Sequence, residues 1–358
     1  MQQGRRDEPS PKGWRFVKYH LIALFTVFVW GITFVSTKVL LADFTPLWIL
    51  ALRFAVGFLA LCALRPRMLC LADRRHELLF VAAGATGIAA YYLLENVALV
   101  LTTATAAGVI VAASPLFTAL LQAARGDRSA LSARFFAGFA MAMAGLVIVG
   151  MGSTGAGAGA EATASAVSGA SSAIASNSPD LAADPGTLGG DLLALAAALV
   201  WAVYSLLVKH IADLGYETVA STKRTFLWGL VFIVPATAAF GGPSPAPDAF
   251  TEPVNLANLL FLGAVASAAC FVTWGVAVKR LGAVTSTTYI YLVPAITAAA
   301  SIIVLGEPLN AAIVGGIALT IAGLVLSQWQ PTAKRETGSS DAPGPASCAE
   351  DGQKAEGA

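Results

Sequence analysis

Charge is what this chain has least of. Of its 358 residues, 12% are charged and 57% hydrophobic, and the mean hydropathy is +0.73. A soluble domain carries roughly a quarter charged residues. The apolar residues fall in blocks of about 20, the length that crosses ~30 Å of hydrocarbon at 1.5 Å per residue. An ordinary soluble fold is excluded, and an all-α polytopic membrane protein is indicated. Histidine is scarce as well. His20, His76 and His210 all fall at the ends of apolar runs, so an intramembrane enzyme with histidine-held metal lacks its ligand set. The four cysteines, Cys62, Cys70, Cys270 and Cys348, are scattered without metal or disulfide spacing. Nothing resembles the phosphate loop G-x-x-x-x-G-K-S/T, which excludes ATP-driven transport within this chain on motif grounds. No cofactor or metal is expected. The net charge of +1 gives no argument for nucleic acid, and none is expected as a partner.

What is present is a series of ten apolar runs, at roughly 20–41, 46–64, 78–95, 98–121, 135–152, 190–210, 218–240, 255–277, 283–305 and 310–328. A polar, basic tail (1–19) precedes them. Its Arg5-Arg6 pair is not followed closely by an apolar core, and no small-residue cleavage site follows the first run, which therefore reads as a retained helix. Residues 153–189 are rich in Gly, Ala and Ser, lack Lys and Arg, and read as a flexible connector. The tail 329–358 is polar and reads as disordered. With the loops numbered alternately from an inside N-terminus, 20 of the 22 basic residues fall in inside segments or at the inner ends of spans, and the other two, Lys38 and Arg53, lie within spans away from the inside. The outside loops hold only acids such as Asp43, Asp248 and Glu252. By the positive-inside rule both termini face the cytoplasm.

The chain also repeats. Trp30 and Lys38 match Trp201 and Lys209, and Arg53 matches Arg224, at an offset of 171 residues. Ala98, Pro115, Thr118 and Ala119 match Ala277, Pro294, Thr297 and Ala298 at an offset of 179. Ala144-Gly145-Leu146-Val147 recurs as Ala322-Gly323-Leu324-Val325. The units are 20–152 and 190–328. Five spans is an odd number, so the second copy enters the membrane upside down. Ten transmembrane helices as two inverted five-helix repeats give two packings of similar energy, the physical basis of alternating access, with sites at the repeat interface.

Four segments carry a family resemblance: W-G-x-x-F-x-x-x-K at Trp30–Lys38, E-N-x-A-L at Glu95–Leu99, S-P-L-F-T-A-L-L at Ser114–Leu121 and G-E-P-L at Gly306–Leu309. Together they resemble the EamA-type branch of the drug/metabolite transporter superfamily over about residues 20–328. The resemblance implies a ten-helix carrier of the bacterial inner membrane, commonly an exporter of amino acids or other small metabolites. The long 153–189 connector departs from the family pattern.

Intramembrane charge is costly and is kept in protein or water-filled interiors. Lys38, Arg53 and Glu95 are therefore weighed as a cluster for a charged or zwitterionic substrate, with a proton as a further partner on Glu95. Pairing between helices for Arg53 and snorkelling for Lys38 are the structural alternatives. Glu95 matches Trp274 in the second copy, so duplication alone does not explain the acid. Arg224 reads as a topology anchor. The aromatic candidates for a substrate site are Trp30, Phe34, Tyr91, Tyr92, Trp201, Tyr204, Trp274, Tyr289 and Tyr291, with belt anchoring or packing as the alternative. Pro115 and Pro294 are hinge candidates. Gly138, Gly145, Gly316 and Gly323 are expected to allow close helix contact.

A secondary exporter of amino acids or related metabolites is the first reading. The alternatives are an exchanger of phosphorylated or nucleotide-linked sugars, which would need several deep basic residues, and a membrane-embedded enzyme, for which no nucleophile or metal constellation stands out.

Overall fold

The computed structural model describes residues 11–101, 109–154, 185–305 and 311–328. Their structure is helical: α1 Pro11–Leu40, α2 Pro46–Leu64, α3 Glu77–Gly84, α4 Tyr91–Leu101, α5 Ser114–Ala124, α6 Ala133–Thr154, α7 Pro185–Asp213, α8 Thr218–Phe240, α9 Pro253–Leu260, α10 Cys270–Leu281, α11 Ala283–Thr288, α12 Leu292–Leu305 and α13 Ala311–Gln328. A π-helical turn, Ala85–Ala90, joins α3 to α4 in one rod, and a second, Phe261–Ala269, joins α9 to α10. Among the described residues, seven helices are long and apolar enough to cross a membrane, and Val17–Thr33, Val109–Ala124 and Ala133–Val149 are shorter apolar helices beside them. These helices follow the order of the apolar runs read from the sequence.

Local chemistry sets the boundaries. Pro46 and Pro253 open α2 and α9, where a missing N–H costs no helix bond. The Glu217 carboxylate caps α8 by accepting from the backbone N–H of Val219 and Ala220, at 3.0 and 2.9 Å. Gly282, at φ +90°, is the single residue between α10 and α11. Two expected boundaries move. The third rod runs on to Leu101, past the expected start of the next span at 98, because apolar sequence continues there without a polar break. α6 and α7 reach Thr154 and Pro185, so both ends of the expected connector are helical. The rest of that connector, both tails and the Gly306–Leu309 motif lie outside the described residues.

Packing follows the inverted pattern. α1 lies against α10 and α12, and its counterpart α7 against α4 and α5. The closest pairing is α6 with α13, and glycine makes it possible. A Cβ on Gly138 would stand 2.6 Å from the Gly323 carbonyl oxygen, and one on Gly145 would stand 2.6 Å from that of Gly316. As the chain rises along α6 it falls along α13, so the pair is antiparallel. Gly138 matches Gly316 in the repeat, and Gly145 matches Gly323. Each therefore touches the other's mate, the contact pattern of a two-fold axis. A second matched contact links α2 with the second π-turn through Gly57 and Gly263, and α8 with α3 through Trp228 and Gly84.

Candidate functional site

Both halves supply side chains to one aromatic centre. Trp30 on α1 meets its repeat mate Trp201 on α7 edge to face, ring centroids 5.5 Å apart. Trp274 on α10 lies 5.3 Å from Trp30 and 5.8 Å from Trp201. Tyr91 packs on Trp201 at 4.9 Å, Tyr204 on Trp201 at 5.2 Å, and Phe271 touches Trp30 at 5.8 Å. Phe54 on α2 extends the cluster to Tyr92, Phe271 and Phe226. Tilted and edge-on rings of this kind add to plain burial.

The π-turns shape this centre. They occupy matched places: Gly84-Ala85 aligns with Gly263-Ala264 and Ala89-Ala90 with Ala268-Ala269, at the same offset of 179. A π-turn disturbs the helical ladder and frees backbone groups, and such turns recur at functional sites. The second turn receives two hydrogen bonds from the other half of the protein. Trp30 Nε1 donates to the Ala266 carbonyl at 3.0 Å, and Arg53 Nε donates to Ser267 Oγ at 3.0 Å. In the first turn Gly87 lets Tyr204 approach so closely that a Cβ there would lie 2.2 Å from the ring.

Two charges enter the aromatic wall. Arg53 is 7% exposed, and its guanidinium lies 5.5 Å from the Phe54 ring and 5.4 Å from the Tyr92 ring. Glu95 accepts from the Tyr91 hydroxyl at 3.1 Å. Among the described residues neither charge has an ion-pair partner within 4 Å. The indole N–H groups of Trp201 and Trp274 are buried without a hydrogen-bond partner. Among the described residues the centre thus offers one cation, one carboxylate and two unpaired donors inside an apolar shell.

Of the sequence candidates, Trp30, Tyr91, Tyr92, Glu95, Trp201, Tyr204 and Trp274 come together here. The side chains of Phe34 and Lys38 lie outside the described residues. Tyr289 turns to α1, its hydroxyl 2.6 Å from His20 Nδ1, and the buried Tyr291 ring faces Phe139 on α6. Pro115 follows a break at Ala112-Ala113, and Pro294 follows the tight turn Tyr289–Tyr291, so each matched proline stands just past an interruption. Phe54, Phe226, Phe271 and Ser267 were not singled out, since one Phe in an apolar run gives no sign of its direction.

A second polar cluster sits where α8 begins. Arg224 Nε donates to both oxygens of Glu77 at 3.0 Å, its Nη2 pairs with the same carboxylate, and Trp228 Nε1 donates to it at 2.5 Å. Lys223 is 1% exposed and donates to the carbonyls of Arg65 and Arg67, at 2.5 and 2.9 Å, just past the end of α2. Arg224 therefore does more than anchor topology: it clasps the two halves together. An open groove of about 440 Å³ along Val17, Lys18, Leu21, Ile22 and Phe25 lies on the flank of α1, apart from the aromatic centre.

An all-helical bundle of inverted halves meeting at a mixed aromatic and charged centre defines a polytopic membrane protein of the transporter class. Comparison with known proteins supplies the family. The EamA-like transporter family matches residues 17–151 and 188–329, and the chain belongs to it, within the drug/metabolite transporter superfamily. A protein of Streptantibioticus cattleyicolor named "Probable terminal-alkyne amino-acid exporter" is 31% identical over 319 residues, covering 88% of this chain and 94% of that protein. An uncharacterized transporter of Archaeoglobus fulgidus is 27% identical over 313 residues, covering 87% and 97%. A solved crystal structure is similar in fold, with a TM-score of 0.65 at 21% identity over 87% of this chain and 98% of that one.

Proposed function

We propose that this chain is a secondary carrier that exports small zwitterionic metabolites, amino acids first among them, by alternating access across a bacterial inner membrane, with both termini in the cytoplasm. The observation that carries the reading is the placement of Arg53 and Glu95. Opposite charges held in an apolar centre without an ion pair are each short of an ionic partner, and buried charge without one is strongly unfavourable. A zwitterion supplies both partners, its carboxylate for Arg53 and its ammonium for Glu95. The unpaired Trp274 N–H adds a donor for the carboxylate, and the surrounding rings take up an apolar side chain. The name of the Streptantibioticus relative supports the same class. Hinging belongs at Pro115 and Pro294, and Glu95 is the carboxylate placed to carry a proton if transport is proton-coupled. A phosphorylated or nucleotide-linked sugar is a poorer match, since one described cation opposed by a carboxylate does not balance a doubly charged phosphate.

The test is exchange of labelled amino acids by purified protein in liposomes, with and without a pH gradient. Uptake that depends on internal amino acid, needs no ATP and is lost in Arg53→Gln at substrate concentrations near the parental KM supports the proposal. Exchange of sugar phosphates alone would replace it.

A further inference from the structure

The two halves match in sequence, but two hydrogen bonds that cross between them do not recur at the matched positions. Around α1 the contacts are made: Trp30 Nε1 donates to the Ala266 carbonyl at 3.0 Å, and the Thr297 hydroxyl is shared between the Gly31 carbonyl and the Val293 carbonyl of its own helix, each at 3.0 Å. The repeat turns these into Trp201 with the Gly87 carbonyl, and Thr118 with the Ala202 carbonyl. Neither is made. Trp201 Nε1 is buried without a partner among the described residues, and Thr118 Oγ1 donates only to Ser114, one turn back on its own helix. Two neighbouring pairs thus differ in the same sense, made on the α1 side and unmade on the α7 side.

An orphaned buried indole N–H costs free energy, and its repeat mate identifies the acceptor that would satisfy it. Gly87 lies in the first π-turn, as Ala266 lies in the second, so each acceptor sits where the regular ladder is interrupted. In a molecule whose two packings are related by exchange of its halves, bonds present on one side in one packing belong on the other side in the second.

We infer that Trp30 and Trp201 form an alternating pair that sets which way the carrier faces. In the packing seen here Trp30 is docked on the second π-turn and Trp201 is free. In the opposite packing Trp201 donates to the Gly87 carbonyl, Thr118 donates to Ala202, and Trp30 and Thr297 let go. The unpaired Trp201 donor is thus a latch for the other state, distinct from the charges that hold substrate. The inference rests on the alternating-access reading above and adds to it a named switch.

Val27 and Ala198 report the two states. They are repeat mates, each one turn before its tryptophan, and both are fully buried. In full-length protein with Cys62, Cys70, Cys270 and Cys348 replaced by alanine, Val27→Cys and Ala198→Cys are labelled in liposomes with an impermeant thiol reagent. Trp30→Phe keeps an aromatic ring and removes the donor. It raises labelling at position 27 and lowers it at 198, each about tenfold, the worth of one buried hydrogen bond to a backbone group. Trp201→Phe moves both rates the opposite way. Thr297→Val and Thr118→Val, milder changes, repeat the two shifts should a Phe variant fold poorly. Shifts in the same direction, or none, overturn the switch. If the two positions never label reciprocally in the parent, whatever the substrate gradient, alternating access itself fails. Reciprocal labelling in the parent without opposite effects of the two variants sinks the switch alone.

Discussion

Gly145 on α6 lies against Gly316 on α13 so tightly that a Cβ on either would stand within 2.7 Å of the other's carbonyl oxygen. Helices in lipid gain little from hydrophobic burial against one another and depend on close packing. This contact and its twin, Gly138 on Gly323, hold the two halves together along their pseudo-two-fold axis.

Gly145→Leu is therefore expected to destabilise the folded protein by about 1–3 kcal/mol, the usual range for an overpacked contact. Gly315→Leu, one residue from Gly316 but facing open space, should be near neutral. Thermal unfolding in detergent measures both. Equal losses would remove the α6–α13 seam from the account.

The clasp at the start of α8 makes a second prediction. Glu77 and Arg224 are 27% and 19% exposed, so solvent screens them only in part. Glu77→Gln leaves the Arg224 guanidinium without its carboxylate and should cost roughly 1.5–3 kcal/mol, the range for hydrogen bonds to charged groups. Lys209→Ala breaks the more exposed pair with Asp213, where a helical i,i+4 bridge is worth about 0.3–0.5 kcal/mol. Unfolding midpoints at low and high salt should separate the two, with the Glu77 effect persisting in salt.

Arg53 and Glu95 are expected to act on substrate and not on fold. Arg53→Gln should raise the KM for an amino acid by about 10–100-fold, the worth of one charge-assisted hydrogen bond. Arg53→Lys should recover part of it, since a point charge remains after the planar donor is lost. Glu95→Gln should impair transport and flatten its pH dependence. Flux by Glu95→Gln at parental rates across pH would take the acid out of the mechanism.

Sidedness gives a further check. Cysteine at Ala42, between α1 and α2, should react with impermeant reagent from outside the cell, and cysteine at Ser129, between α5 and α6, only after the membrane is opened. The reverse result would invert the topology argued from basic residues.

The fold was largely legible in the sequence because hydropathy and charge work over long stretches. Twenty-residue apolar blocks, basic residues confined to alternate loops and prolines recurring at a fixed offset leave few other arrangements. The site was legible where polarity stood out against an apolar background, as with Glu95 between Leu94 and Asn96, or where a matched pair such as Trp30 and Trp201 drew attention. The π-turns were not. Ala85–Ala90 and Phe261–Ala269 read like any other apolar helix, since the change from i→i+4 to i→i+5 bonding leaves no mark on hydropathy. Lys223 likewise looked like a loop charge, although its amine is buried on carbonyls at the far end of another helix.

Counterflow in sealed liposomes tests the central claim most directly. Vesicles holding the purified protein are preloaded with an unlabelled amino acid, and entry of the same compound in labelled form is followed without ATP. The account predicts transient accumulation above that in empty vesicles, saturable with external substrate and, in Arg53→Gln, lost at substrate concentrations near the parental KM. Absence of counterflow for every amino acid tried, or counterflow by Arg53→Gln at the parental rate, would contradict it.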